Sequence, residues 1–377
     1  MTSDRAPLRV VLLAEGSGWG GIETYLEALV RQSGKSDVSL ELWLLYDGPL
    51  LKKLQNQSDF TLICVPGDTR LKKACWIRKE VRRRSVDVLH AHGLLPEVFA
   101  ALAIGVSGRP IFVSTVHSAP GNTMLNAPGR PASLSFLLWS VRRFLVGRII
   151  AVTADIETTL TKSGIQSPKI QVIANSVEVV SRSDSSARAK YRARCEIPEE
   201  ACVVGIVGRL DPIKGHDRLL RAAEELHRRK LPFVFWIIGD GPLRNDLELS
   251  CIDRGIESIV RFWGYRTDVR ELMTALDVGV FCSDHEGMPF AALEFQAEGV
   301  PLVARNVGGL SELINEETGI LYSSDDDDAL LACLEWVLVN REEAQTLASR
   351  ARDLLSQERS VHRFYQRTAE VWFGSAD

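Results

Sequence analysis

The sequence predicts an α/β protein of two halves, each a doubly wound parallel sheet. Three observations predict it. Two apolar runs, Leu8 to Ala14 and Cys202 to Val207, read as strands covered on both faces, as in parallel sheets. Each enters a glycine-bearing turn and then a helix pattern: Glu15 to Gly21 before Ile22–Arg31, and Gly208 to Gly215 before His216–Arg229. After each of these, short apolar runs alternate with helical periodicity through the rest of its half.

The 377 residues suffice for two domains of ordinary size. Hydrophobic residues at 45% and charged residues at 25% give a globular balance. No run of 18 or more uncharged apolar residues occurs, so no membrane span is expected. Val10 to Ala14 is too short for a secretory apolar region, and the expectation is a cytoplasmic protein. Seven cysteines without a CxxC pair read as buried free thiols, neither a disulfide frame nor a zinc site. Charge is uneven. Residues 1–178 hold 21 Lys+Arg against 15 Asp+Glu, and residues 179–377 hold 24 against 34. A basic half joined to an acidic half suggests different partners for the two. No nucleic-acid partner is expected.

In the first half, Gly16, Gly18 and Gly21 fit the G-x-G-x-x-G pattern, with Asp47 after the next strand, Ser39 to Leu45. That would suit a dinucleotide enzyme. Residues 69–84 read as a basic helix with Leu71, Cys75, Trp76 and Val81 on its apolar side. Asp87–His92 and Pro110–His117 are strands that deliver histidines at their carboxyl ends, where open α/β sheets bind ligands. His90 reads as an edge residue with a hydrogen-bonded ring, and His117 as a site residue. No carboxylate or Cys stands at ligand spacing from His117, so no metal is expected. Ser118 to Arg130 is a Gly/Pro/Asn loop. Residues 134–148 then read as one helix carrying Phe136, Trp139, Phe144 and three Arg. Together, 69–84 and 134–148 could form a surface for anionic lipid head groups, or the second could be a core helix with snorkelling Arg. Strands at 149–152 and 169–173 flank a helix at 155–163.

Residues 179–200 read as linker and a first helix. In the second half, Arg209 and Lys214 stand at the mouth of a strand–turn–helix, where two cations suit a diphosphate. Strands follow at 233–238, 259–263, 277–282 and 301–304. The run Asp325 to Asp328 is expected to cap the helix 329–339. Residues 283–301 close on Glu286 and Gly287 and open a helix with Pro289 at its first position, ended by Gly299 and Pro301. Glu286 in the turn and Glu294 in the helix bracket the amides of a helix N-terminus. Amides suit an anion, and carboxylates suit sugar hydroxyls.

The ordered set Trp19-Gly-Gly21, His90-Ala-His-Gly93, Thr115-Val-His117, Asn175-Ser-Val-Glu178, Gly208-Arg-Leu, Lys214-Gly215, Gly239-Asp-Gly-Pro242, Glu286-Gly-Met-Pro with Glu294, and Gly308-Gly309 resembles a family 4 retaining glycosyltransferase. The resemblance covers nearly the whole chain and implies the GT-B fold: two Rossmann-like doubly wound domains facing across a cleft. It implies an acceptor-binding domain at 1–178, a nucleotide-sugar-binding domain at 179–358, and a last helix at 359–377 crossing back to the first domain. By matching position it implies that Arg209 and Lys214 hold the diphosphate and Glu294 the ribose hydroxyls. Glu286, with Gly287, Met288, Pro289 and Phe290, would hold the donor sugar. Gly264 and Tyr265 would lie near the base, Gly20 and Gly21 near the phosphates, and His117 by the donor sugar.

The implied reaction moves a sugar from a UDP- or GDP-linked donor to a glycan or lipid-linked acceptor, with retained configuration, no cofactor and no metal. Such an enzyme would serve cell-surface polysaccharide or lipopolysaccharide assembly, peripheral to the inner membrane face. The chain departs from the family text at Asn-Ser-Val-Glu for Asn-Gly-Val-Asp and at Phe295-Gln-Ala for Ala-Met-Ala. An epimerase on the same architecture, a nicotinamide enzyme and a non-enzymatic carbohydrate binder are the competing readings.

Overall fold

A computed structural model describes residues 6–18, 20–34, 37–104, 110–118, 132–179, 186–323 and 327–374. The chain divides into two units, Met1–Ser176 with Val361–Asp377, and Val177–Ser360.

The first unit runs β1 (Leu8–Ala14), α1 (Gly21–Val30), β2 (Val38–Leu44), α2 (Pro49–Leu54), β3 (Thr61–Cys64), α3 (Arg70–Arg83), β4 (Val88–His92), α4 (Leu94–Ile104), β5 (Ile111–Val116), α5 (Ala132–Ser140), β6 (Arg148–Ala151), α6 (Ala154–Lys162) and β7 (Ile170–Val172). Its seven strands pair in the order β3-β2-β1-β4-β5-β6-β7, all parallel. The apolar run of β1 is buried from Val10 to Ala14, as a strand covered on both faces must be.

The second unit runs α7 (Ser186–Arg194), β8 (Cys202–Val207), α8 (His216–Arg228), β9 (Phe233–Ile238), α9 (Arg244–Asp253), β10 (Val260–Gly264), α10 (Val269–Thr274), β11 (Val278–Phe281), α11 (Phe290–Glu298), β12 (Leu302–Arg305), α12 (Leu310–Leu313), β13 (Ile320–Tyr322), α13 (Asp327–Val339) and α14 (Arg341–Glu358). Its six strands, order β10-β9-β8-β11-β12-β13, repeat the first six places of the other sheet. In both sheets the chain reverses direction of growth beside the first strand, between β1 and β4 and between β8 and β11. Ligands of doubly wound sheets bind at such switch points. The last helix, α15 (Val361–Phe373), buries Phe364, Tyr365, Val371 and Trp372 within the first unit.

Several expectations need correction. His90 is not at an edge: β4 is an interior strand and His90 is wholly buried. Residues 134–148 are not one helix. α5 ends at Ser140, Val141–Leu145 form a π-helical turn, and Arg148 begins β6. On α3 the buried face is Ala74, Ile77 and Val81 with the stems of Lys73 and Glu80, while Leu71 and Cys75 are exposed. All seven cysteines are free, but Cys64 and Cys75 are exposed and Cys333 half-buried. Pro289 is the N-cap of α11, not its first helical residue. α13 begins at Asp327, so Asp328 lies inside its first turn. Trp19, the loop after Ser118 through Arg130, and Asp325 and Asp326 lie outside the described residues.

Candidate active site

The second unit's site is built where the turn after β8 meets the loop after β11. A one-turn 3-10 helix, Pro212–Lys214, ends at Gly215, which adopts φ +65°. A Cβ there would lie 2.2 Å from the Cys282 carbonyl oxygen, so only glycine lets this turn seat on the end of β11. The Asp284 amide then donates to the Ile213 carbonyl at 2.8 Å. Arg218, in the first turns of α8, donates to the Cys282 carbonyl (3.1 Å) and to Asp284 Oδ1 (2.7 Å). Arg305, at the end of β12, reaches the same Oδ1 at 2.5 Å. Two guanidinium groups and a backbone bond therefore fix the loop.

Lys214 and Glu286 are brought together. Lys214 Nζ donates to Glu286 Oε1 at 2.6 Å, and Ser283 Oγ donates to the same oxygen at 2.6 Å. The Glu286 carbonyl accepts from the Gly309 amide at 3.0 Å. Gly308 (φ +49°) allows that approach, since a Cβ on it would lie 2.0 Å from the same carbonyl oxygen. Glu286 is thus held at both ends, its side chain 8% exposed against 25% for Lys214. An ammonium has three donors, and this contact uses one. Lys214 can hold an anion while still paired.

Arg209 stands apart, its side chain 61% exposed and its Nε 3.7 Å from Asp211 Oδ2. Gly287, Met288 and Pro289 lead from Glu286 into α11, with Met288 and Phe290 buried. The first amides of α11 lack intrahelical acceptors and sit at the positive end of the helix. Glu294 is half-buried in the second turn. At the end of β10, Gly264 (φ +66°) accepts from the Gly239 amide at 2.9 Å, and Tyr265 is 53% exposed beside it.

In the first unit, Gly20 caps α1 and Gly21 begins it, both exposed. His117 follows β5, and there it joins rings that the sequence alone does not place beside it. His92 Nδ1 lies 3.3 Å from His117 Nε2. His90 Nε2 lies 2.7 Å from Thr115 Oγ1, and Trp372 Nε1 donates to His90 Nδ1 at 3.1 Å. Tyr25 packs edge-on against His117, with centroids 4.9 Å apart. Burial holds His90 and His117 down at about 3 and His92 well below its ordinary value, so the rings are neutral. Burial also pushes the Tyr25 hydroxyl up to about 12. The missed signal was the spacing His90-Ala-His92: residues two apart on a strand share a face. Asp284, Arg218 and Arg305 were missed because their partnership joins three separate elements.

Two family descriptions match the chain, Glycosyltransferase Family 4 over residues 19–180 and Glycosyl transferases group 1 over residues 187–354. The chain belongs to the family 4 glycosyltransferases. The transferase is 27% identical over 271 residues to the UDP-Gal:alpha-D-GlcNAc-diphosphoundecaprenol alpha-1,3-galactosyltransferase of Escherichia coli, covering 70% of this chain and 69% of that one. It is 30% identical over 183 residues to the lipopolysaccharide core biosynthesis glycosyltransferase LpsE of Rhizobium meliloti, covering 48% and 52%. Its fold matches Anabaena HepE in complex with UDP-glucose at TM-score 0.86 with 21% identity, over 98% of this chain and 100% of that one. It matches WaaG, a glycosyltransferase involved in lipopolysaccharide biosynthesis, at 0.76 with 17% identity, over 97% and 100%. The transferase has the GT-B fold.

Among the described residues no group of three or more His, Cys, Asp or Glu is arranged to hold a metal, and no helix is long and apolar enough to cross a membrane.

Proposed function

We propose that the transferase moves a sugar from a UDP- or GDP-linked donor to a hydroxyl of a glycan or lipid-linked acceptor, retaining the anomeric configuration. The observation that carries this is the Lys214–Glu286 pair at 2.6 Å beside the N-terminus of α11. It sets a cation for a diphosphate against a carboxylate for sugar hydroxyls. Arg209 and Lys214 take the diphosphate, and Glu286 with the 287–290 backbone takes the donor sugar. Glu294 takes the ribose, while Gly264 and Tyr265 flank the base. Gly20 and Gly21 serve the phosphates, and His117 gives the donor sugar a neutral hydrogen bond.

In the reaction the anomeric C–O bond to the diphosphate breaks. The acceptor oxygen bonds the same face of that carbon, and its proton passes to the departing phosphate oxygen. The developing negative charge meets Arg209, Lys214 and the helix amides, which can stabilise it without a metal. Two relatives support that setting by their names, the Escherichia coli galactosyltransferase for a diphosphoundecaprenol-linked acceptor and LpsE for lipopolysaccharide core biosynthesis.

A lipid-linked acceptor at an anionic membrane face fits the first unit less simply than its Arg content suggests. Phe136 and Phe144 are exposed, at 66% and 67%, and Arg143 lies over Trp139 and Phe144 at 5.6 Å from each centroid. Arg142, however, is turned inward onto Glu97, and Arg148 bonds carbonyls of α15. The lipid contact proposed here is therefore mostly aromatic, with Arg143 and the exposed basic side of α3 supplying charge.

The test is to incubate the enzyme with UDP- and GDP-hexoses and follow release of the diphosphate. Proton NMR then gives the anomer of the sugar first released or transferred. Retained configuration is expected; an inverted product, or conversion of donor to its epimer without diphosphate release, contradicts the proposal.

A further inference from the structure

We propose that His92 is a positioning residue that fixes His117 in the tautomer protonated at Nδ1. His92 Nδ1 and His117 Nε2, 3.3 Å apart, must share one proton between two neutral rings. His92 Nε2 is buried and finds no partner among the described residues. If His117 donated, the His92 proton would sit on that Nε2, leaving a buried N–H without an acceptor, which is rare in folded proteins. If His92 donates from Nδ1, only a lone pair is left there. The second arrangement wins. It forces His117 to accept at Nε2 and to carry its own proton on Nδ1.

The surrounding rings hold this state. His92 packs on His90 at 4.2 Å between centroids, and Tyr25 packs on both His92 and His117. His90 has its own tautomer fixed. Trp372 donates to its Nδ1, so its proton is on Nε2 and goes to Thr115 Oγ1. That threonine lies opposite His92 in the β4–β5 register. A helix from the far end of the chain thus locks the layer against which His92 stands. The result is a neutral N–H donor at His117, suited to a sugar oxygen.

The assignment of that donor to a sugar rests on the proposed function; the tautomer does not. Nitrogen-15 long-range spectra of the histidine-labelled full chain, assigned through single His variants, report each ring's protonated nitrogen. The expected result is Nδ1–H for both His92 and His117 in the wild type. His92→Phe removes the donor and is expected to shift His117 toward Nε2–H, cutting kcat at least tenfold with donor KM within threefold. His92→Asn, whose amide nitrogen replaces Nδ1, is expected to restore the tautomer and most of kcat. A wild-type His117 protonated on Nε2 overturns the proposal whether or not His92→Phe folds, and so does a folded His92→Phe variant with an unchanged tautomer. A His117→Ala variant losing under threefold in kcat instead sinks the donor-sugar reading alone.

Discussion

At the carboxyl ends of β4 and β5 the first unit gathers His90, His92, His117, Thr115 and Tyr25, all uncharged and most of them buried. At the topologically equivalent end of β11, the second unit gathers Lys214, Glu286, Asp284, Arg218 and Arg305, with α11 opening beside them. The same strand order has been furnished in opposite ways. Neutral rings in an apolar layer can orient a polar uncharged group but cannot neutralise a diphosphate. Cations and helix amides can neutralise one, and the carboxylate that would otherwise be a liability is held by a lysine with donors to spare. The difference teaches that the switch point supplies only a place, while the side chains at it decide between orienting and charge-stabilising work.

Three variations would break or sharpen this contrast. The largest effect is expected for Arg142→Ala. Arg142 donates to Glu97 through Nε (2.9 Å) and Nη2 (2.8 Å), and Glu97 is 0% exposed. Leaving that carboxylate buried without its guanidinium should cost the first unit about 3–5 kcal/mol. Hydrogen exchange should show loss of protection confined to residues of the first unit; uniform loss would mean the two units do not keep separate stabilities.

Next is Lys214→Ala, which removes the cation assigned to the diphosphate and leaves the Glu286 carboxylate with Ser283 as its hydrogen-bond partner among the described residues. Turnover should fall by about 2.7–4 kcal/mol, roughly 100- to 1000-fold. A loss under threefold in diphosphate release would mean that charge in the second unit is not the catalytic resource.

The smallest is the response to acid. Buried rings that stay neutral in the fold, His90 at about 3 and His92 well below its ordinary value, bind protons in the unfolded chain below about 6.5. The unfolded state then holds more protons, so stability is present above that pH and is lost as pH falls toward the folded values. From pH 7 to pH 5.5 each buried ring should cost about 1.3 kcal/mol. The first unit has two such rings with His117 shifted the same way, and the second has His216, lowered to about 4 by burial and by nearby Lys214. Protection in the first unit should therefore fall more steeply; equal slopes would contradict the account of its neutral layer.

Much of the fold was legible because its strands are continuous apolar runs between turn residues. Phe233–Ile238 is read with both ends in place, since Pro232 and Gly239 punctuate it. α14 was not anticipated, because its buried face is Ala344, Ala348, Ala351 and Leu355, too slight an apolar stripe to stand out. The π-helical turn could not be read either. Within it Arg142 turns inward to a carboxylate 45 residues away, a partner that no local pattern announces. The charged site was legible because glycine turns and a helix start keep Lys214, Glu286 and Glu294 at fixed places in local motifs. The ring layer was only half legible. His117 ends a strand and is visible alone, whereas His92 matters through a neighbour on another strand, and Trp372 through a helix 282 residues from His90.

The central claim is that the second unit binds a nucleoside diphosphate through paired charges, while the first unit's rings do not contribute to the diphosphate. A thermal-shift titration of the full chain with UDP and GDP tests it most directly, run on wild type, Lys214→Ala and His117→Ala. Wild type and His117→Ala should both be stabilised, by about 2.7 kcal/mol at 100 times the dissociation constant, and Lys214→Ala should lose most of that shift. Stabilisation by neither nucleotide, or a shift abolished by His117→Ala and kept by Lys214→Ala, would contradict it.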